Sequence, residues 1–178
     1  MTSPYRVCFV CTGNICRSPI AESVFRARLT EAGLDGLVEA DSAGTDGWHE
    51  GDSADPRAVA VLDAHGYGSD HTARQFHASW FLRLDLVIAL DEGHLRELRR
   101  LAPTPEDAAK VRLLRSYDLS LAPSPDPSLG LSGEPSGDLG VPDPYYGGSA
   151  GFEECLEMVE AASEGLLATV RNAIEKAA

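Results

Sequence analysis

The apolar positions along this chain switch between two periods. Residues 7–10 are a continuous β-branched and aromatic run, which predicts a strand buried on both faces. A short polar loop follows, and then Ile20, Val24, Phe25 and Leu29 recur at helical spacing. Ser18 fits the N-cap of that helix, Pro19 its first position and Gly33 its stop. Residues 37–40 predict a short strand, and Asp55-Pro56 opens a helix that ends near Gly66. Residues 84–90 are strongly apolar and predict a strand, after which Asp91 caps a helix ending before Pro103. Residues 111–114 are the last strand candidate. Residues 152–176 form a long helix with Met158, Val159, Ala162 and Leu166 on one face.

Strands and helices that alternate without an internal repeat imply an α/β fold. The expected architecture is a single-domain open twisted parallel sheet of about four strands, with helices on both faces. Ligands in such sheets bind at the carboxyl ends of the strands, and residue 11 falls at such an end. Residues 116–150 break the alternation, with Pro123, Pro125, Pro127, Pro135, Pro142 and Pro144 among many Gly and Ser. They read as one long functional loop of the single domain 1–178, with 123–140 as a tolerated surface insertion.

The polar loop after the first strand is where the chemistry concentrates. Cys11 and Arg17 bound a C-x5-R segment that runs into a helix N-terminus. Gly13 and Asn14 tolerate unusual backbone angles, so a tight turn there aims backbone N–H groups at an anion. Thr12, Gly13, Asn14, Ile15, Cys16, Arg17 and Ser18 are therefore the candidate phosphate-binding residues. The guanidinium of Arg17 has the planar fork that grips two phosphate oxygens. A helix N-terminus and a guanidinium both favour a thiolate, so Cys11 is the candidate nucleophile and a phospho-cysteine the expected intermediate. Ser18 is placed to donate its hydroxyl to the departing sulfur. The competing account of Cys11 is a thiol packed beneath a βα turn.

Two Pro-Asp-Pro triplets compete to supply a general acid, at Asp126 and Asp143. Only Asp143 is followed by paired tyrosines, so it is the candidate, acting first as acid and then as base on water. Asp126 reads as an exposed turn.

Composition narrows the picture. With 178 residues, 43% of them hydrophobic, the chain is sized for one soluble domain. A formal charge of −13 disfavours a nucleic-acid partner. No segment is long and apolar enough to span a membrane, and the first residues do not read as a signal peptide. Four cysteines, two in one loop, point to a reducing cytoplasm and not to a disulfide framework. Cys8 and Cys11 form one C-x2-C without a second ligand pair, so no metal and no other cofactor is expected. Cys8 and Cys155 read as packed residues. Nothing signals an oligomer interface, and a monomer is expected.

On these residues the chain resembles the low-molecular-weight protein tyrosine phosphatases. Cys11 to Pro19 matches that family's phosphate loop, second cysteine included. Asp41 to Thr45 resembles its segment after strand two, and Trp48 its aromatic cleft wall. His71, Ala73 and Arg74 resemble the stretch towards strand three, and Asp143-Pro144-Tyr145-Tyr146 its acid loop. The M-D-x-x-N-L helix start is matched more loosely, with Leu90 for Met and His94 for Asn.

The resemblance implies hydrolysis of phosphotyrosine in proteins, with inorganic phosphate or other oxyanions as product or inhibitors. It implies a cleft in which Trp48, Tyr145 and Tyr146 clasp an aromatic ring, with Thr12 and Ile15 near it and His49 at the rim. Asn14 and Ser42 would hydrogen-bond to support the loop, and His71 would join that network. Asp91 reads as a helix cap. Cys16 is either a resolving thiol for an oxidised Cys11 or a small buried residue. Three other functions compete. An arsenate reductase of the same fold needs relay cysteines near the strand-three end, and residues 82–93 contain none. A non-catalytic phosphate-binding module would not need Cys11, Arg17 and Asp143 together. A phospho-cysteine carrier would not need an acid loop.

Overall fold

The apolar run at 7–10 is the centre of strand β1 (Tyr5–Cys11), and its two faces feed two separate cores. Val7, Phe9 and Cys11 face one way, towards α1 (Arg17–Glu31), α2 (Pro56–Ala64) and α5 (Ser149–Ala177). Cys8 and Val10 face the other way, towards Phe76, Phe81, Leu95 and Leu98. A strand covered on both sides needs apolar residues at every position, which is why the run does not alternate. The computed structural model describes residues 3–121 and 139–177. Its remaining strands and α-helices are β2 (Val38–Gly44), β3 (Leu86–Ala89), α3 (Glu92–Leu101), α4 (Pro105–Ala109) and β4 (Val111–Leu113). The four strands are parallel, in the order β2-β1-β3-β4. The expected α/β class holds, with helices on both faces of a four-stranded sheet.

Several boundaries differ from the expectations, each for a local reason. Strand β2 runs on through residues 41–44, which had read as the segment after it. Its register with β1 pairs Cys8 with Asp41 and Cys11 with Gly44. Polar residues are tolerated there because β2 is an edge strand. Its carbonyls at Ala40 and Ser42 accept from Arg26 Nε (2.9 Å) and Arg74 Nε (3.1 Å). Strand β3 begins at Leu86 instead of residue 84. Ahead of it, Asp85 meets Arg6 twice: its carboxylate accepts the Arg6 N–H at 2.8 Å and its own N–H bonds the Arg6 carbonyl at 2.9 Å. The short helix α4 is not among the sequence expectations. Thr104 caps it by accepting from the Asp107 N–H at 3.1 Å. Helix α5 starts three residues before Phe152, and Met158 lies at the margin of its buried face.

Of the proline-rich stretch, residues 122–138 lie outside the described residues. They include Pro123, Pro125, Pro127, Pro135 and the rival acid Asp126. The chain re-enters the core at Leu139 and Val141, where the Val141 N–H bonds the Leu90 carbonyl at 2.8 Å. That bond pins the acid segment beside the carboxyl end of β3. Among the described residues, no helix is long and apolar enough to cross a membrane.

Helix α5 crosses the 3-10 turn Leu114–Tyr117 so closely that a Cβ at Gly165 would collide with the Tyr117 carbonyl. Gly165→Ala is therefore expected to destabilise the fold by about 1–3 kcal/mol through overpacking. Helix propensity alone would favour alanine there by about 1 kcal/mol. Urea unfolding of the two proteins distinguishes the signs.

Candidate active site

The site forms where β1 stops and α1 starts. Residues 12–16 curl between them, and Asn14 adopts φ 58°, the one non-glycine left-handed residue among those described. Its side chain makes that strained turn the hub of a network. Asn14 Nδ2 donates to Ser18 Oγ (2.8 Å) and Ser42 Oγ (3.0 Å), and Oδ1 accepts from the Arg74 N–H (3.0 Å). His71 Nε2 donates to the Asn14 carbonyl at 2.7 Å, and Ser42 Oγ donates to the buried Glu22 at 2.6 Å. The expected Asn14–Ser42–His71 support is therefore present as geometry, with Glu22 an unforeseen anchor beneath it.

The loop's carbonyls are held from outside. Cys11 O accepts from the Thr45 N–H (2.8 Å), Thr12 O from Asp46 (3.0 Å) and Ile15 O from Asp55 (2.8 Å). With the carbonyls turned outward, the N–H groups of residues 12–17 have no protein acceptor among the described residues. N–H groups left without acceptors in a tight turn at a helix N-terminus are the kind of arrangement that binds an oxyanion. Gly44 makes the close packing possible, since a Cβ there would sit 2.5 Å from the Thr12 carbonyl.

Helix α1 corrects one expectation. It starts at Arg17 with Cys16 as N-cap, and no side chain caps it. Ser18 and Pro19 are its second and third residues. The Ser18 hydroxyl is not free to cap, because it shares a 3.0 Å hydrogen bond with Cys11 Sγ. Cys16 is buried at the end of the loop. Burial pushes its thiol well up, with Asp55 and Cys11 adding to the effect, so Cys16 stays protonated at neutral pH.

Arg17 is almost fully buried and held on three sides. Its Nη1 donates to Asp91 Oδ2 (2.8 Å) and to the Val141 carbonyl (2.9 Å), and Nη2 lies 3.6 Å from Asp143 Oδ2. Asp91 does cap α3, as expected, by accepting from the His94 N–H at 2.8 Å. Its other oxygen orients Arg17, a task that the capping signal did not reveal. Asp143 is anchored by the Tyr145 N–H at 3.0 Å, and its side chain is 44% exposed. Tyr145 and Tyr146 meet edge to face, with centroids 5.0 Å apart.

These groups enclose one cleft of about 280 Å³. Cys11, Thr12, Gly13, Ile15, Cys16 and Arg17 line its floor, and Trp48, His49, Tyr145 and Tyr146 its walls, with Asp143 and Asp46 at the sides. Asn14, Ser18, Ser42 and His71 support the floor from outside the cleft. His49 packs its ring against Gly13 and pairs with Asp52 at 3.2 Å, so it buttresses the rim.

His94, the departure from Asn noted above, is buried, and its Nε2 shares a 2.8 Å hydrogen bond with Thr12 Oγ1. Burial, with the Arg17 charge adding to it and Asp91 partly opposing, holds the imidazole pKa down to about 4. In the unfolded chain it would sit near 6.5, so the unfolded state binds the extra proton between those values. Stability from this group is complete above pH 6.5 and is lost as pH falls towards 4, by about 3 kcal/mol. His94→Asn is expected to flatten the pH dependence of unfolding free energy across that window. Denaturant titrations from pH 4 to 7 measure it.

A family model for the low molecular weight phosphotyrosine protein phosphatases matches residues 6–176. The chain belongs to this family. A "Low molecular weight protein-tyrosine-phosphatase" of Streptomyces coelicolor is 71% identical over 171 residues, covering 96% of each chain. "Low molecular weight protein-tyrosine phosphatase A" of Mycobacterium tuberculosis is 46% identical, over 93% of this chain and 91% of its own. A crystal structure of a protein tyrosine phosphatase from Entamoeba histolytica, with Hepes in its active site, superimposes with a TM-score of 0.83. It is 31% identical and covers 95% of this chain and 98% of its own. Family membership agrees with the resemblance carried by the C-x5-R loop and the paired tyrosines.

Proposed function

We propose that the protein hydrolyses phosphotyrosine in proteins through a phospho-cysteine intermediate. The observation that carries this reading is the convergence of Cys11, Arg17 and Asp143 on one cleft walled by Trp48, Tyr145 and Tyr146. The Cys11 thiolate attacks phosphorus while the N–H groups of residues 12–17 and Arg17 hold the other phosphoryl oxygens. Asp143 gives its proton to the leaving phenolic oxygen as the P–O bond breaks, which leaves tyrosine, phospho-cysteine and a carboxylate. The carboxylate then takes a proton from water, whose oxygen attacks phosphorus. The sulfur leaves as thiolate, stabilised by the Ser18 hydroxyl 3.0 Å away, and inorganic phosphate departs.

The aromatic walls favour a flat phosphorylated ring over a short serine or threonine phosphate, which would reach the floor only by drawing peptide backbone into the cleft. The absence of cysteine from residues 82–93 supports hydrolysis over thiol-coupled arsenate reduction. We place the enzyme in a reducing cytoplasm, because turnover needs Cys11 reduced, and we read it as a monomer whose substrates are tyrosine-phosphorylated proteins. Cys16 would serve as the resolving thiol if Cys11 were oxidised.

The test is phosphate release from matched phosphotyrosine and phosphoserine peptides under reducing conditions, with rapid acid quenching to trap labelled sulfur. Selective release from the tyrosine peptide and a phosphorylated Cys11 are expected. Turnover without label on sulfur would refute the covalent route, and binding without release would favour the non-catalytic module. EDTA should leave the rate unchanged, since Arg17 and the loop amides meet the phosphoryl charge.

A further inference from the structure

We propose that Arg57 is a positioning residue for the acid loop, a clamp that holds the segment carrying Asp143 and Tyr145 against the phosphate loop. The inference rests on reading Asp143 as the general acid. The loop carrying residues 142–146 is tethered on one side by Val141, whose N–H bonds the Leu90 carbonyl. On the other side the tether is Arg57, whose Nη1 donates to the Gly147 carbonyl at 3.1 Å. Between the two tethers every residue except Pro144 is exposed, so little packing fixes the loop.

The guanidinium is itself fixed in direction. Its Nε and Nη2 donate to the two oxygens of Asp55, at 3.1 and 3.0 Å. Its central carbon, Cζ, lies over two rings, 4.7 Å from the centre of Phe152 and 5.5 Å from that of Tyr145. Asp55 in turn belongs to the other loop's scaffold. It caps α2, and its N–H bonds the Ile15 carbonyl at 2.8 Å. One Arg–Asp pair therefore joins the loop that binds phosphate to the loop that delivers the proton. A planar fork can serve Asp55 and Gly147 at once while stacking on two rings, and a lysine ammonium cannot. Arg57 does not line the cleft, and its charge is met by Asp55, so it is suited to placing the loop and not to binding substrate.

A mispositioned acid matters only when the leaving oxygen needs a proton, so the effect must depend on the leaving group. The experiment compares kcat/KM on phenyl phosphate, a poor leaving group, with p-nitrophenyl phosphate, a good one. The proteins are the wild type, Arg57→Gln, Arg57→Lys and Asp143→Ala, and each is also inhibited with inorganic phosphate. For Arg57→Gln we expect a loss of about tenfold on phenyl phosphate and less than about threefold on p-nitrophenyl phosphate, a fraction of the full acid contribution. Inhibition by phosphate should stay within about twofold, because the loop N–H groups and Arg17 are untouched.

Equal losses on the two substrates, no loss, or a matching weakening of phosphate inhibition would each overturn the clamp. If thermal melting shows Arg57→Gln to be unfolded, Arg57→Lys keeps the charge and is read by the same ratio. Asp143→Ala separates the two failures. If it shows the leaving-group dependence and Arg57→Gln does not, the clamp alone is wrong. If Asp143→Ala loses equally on both substrates, the acid assignment falls and the clamp with it.

Discussion

Cys11→Ser is expected to release no measurable phosphate, a loss of at least about 10⁴-fold in kcat, as when other enzymes lose their nucleophile. The site is built to receive an anion at residue 11. Ser18 Oγ stands 3.0 Å from the sulfur, and the N–H groups of residues 12–17 have no protein acceptor among the described residues. It is not built to remove a proton from an alcohol. No carboxylate or imidazole is hydrogen-bonded to residue 11 among the described residues: its sulfur meets Ser18 Oγ, Asp91 holds Arg17, and the buried His94 ring faces Thr12. A thiol needs no base to supply thiolate near neutral pH, whereas a hydroxyl does. Oxyanion binding should survive, because its donors are backbone groups and Arg17. Isothermal titration with phosphate should give an affinity within several-fold of wild type. A Cys11→Ser protein with more than a few per cent of the wild-type rate would remove the nucleophile from the mechanism.

Asp143→Ala is expected to lower kcat/KM on a phosphotyrosine peptide by about 10²–10⁴-fold, the usual share of general acid catalysis. Asp143 is the cleft carboxyl that is both open to the leaving group and fixed in direction. It is 44% exposed, with one oxygen on the Tyr145 N–H and the other 3.6 Å from Arg17. Its removal leaves Arg17 still held by Asp91 and the Val141 carbonyl, so the phosphate pocket should persist. The loss should therefore fall on the chemical step, with phosphate inhibition little changed. Phosphorylation of Cys11 by the peptide should slow in single-turnover quench experiments. A loss confined to KM would reassign Asp143 to substrate binding.

Much of this site could be read along the chain because its central parts are local. The proposed nucleophile Cys11, the candidate anion cradle and Arg17 lie within seven consecutive residues, and hydrophobic period with the Pro19 helix-start signal marks the strand-to-helix transition around them. The Pro-Asp-Pro-Tyr-Tyr segment is likewise continuous. Four residues were hidden or half read, Glu22 beneath Ser42 among them. Asp91 looked like a cap and is one, but its second oxygen points at a residue 74 positions away. His94 stood out only as a departure from a resemblance, and its partner Thr12 lies 82 positions earlier. Arg57 sits in an ordinary helix start, and its contact with Gly147 spans 90 positions. Ser18 was misread in the other direction. Its type is right for an N-cap, but the hydroxyl is already engaged with Cys11 and Asn14.

By itself the sequence pointed to the four strands, to every α-helix but the short α4, and to the C-x5-R turn on which the proposed chemistry rests. Those properties depend on neighbours a few residues apart, through hydrophobic period, backbone preference and side-chain reactivity. Only the tertiary structure decided how the pieces are aimed. The order β2-β1-β3-β4 brings the carboxyl ends of β1, β2 and β3 together, so Asn14 meets Ser42, Arg17 meets Asp91 and Thr12 meets His94. Those contacts depend on which strands pair and in what register. Pairing is settled by burying both faces of the sheet at once, a condition that no short stretch of sequence contains.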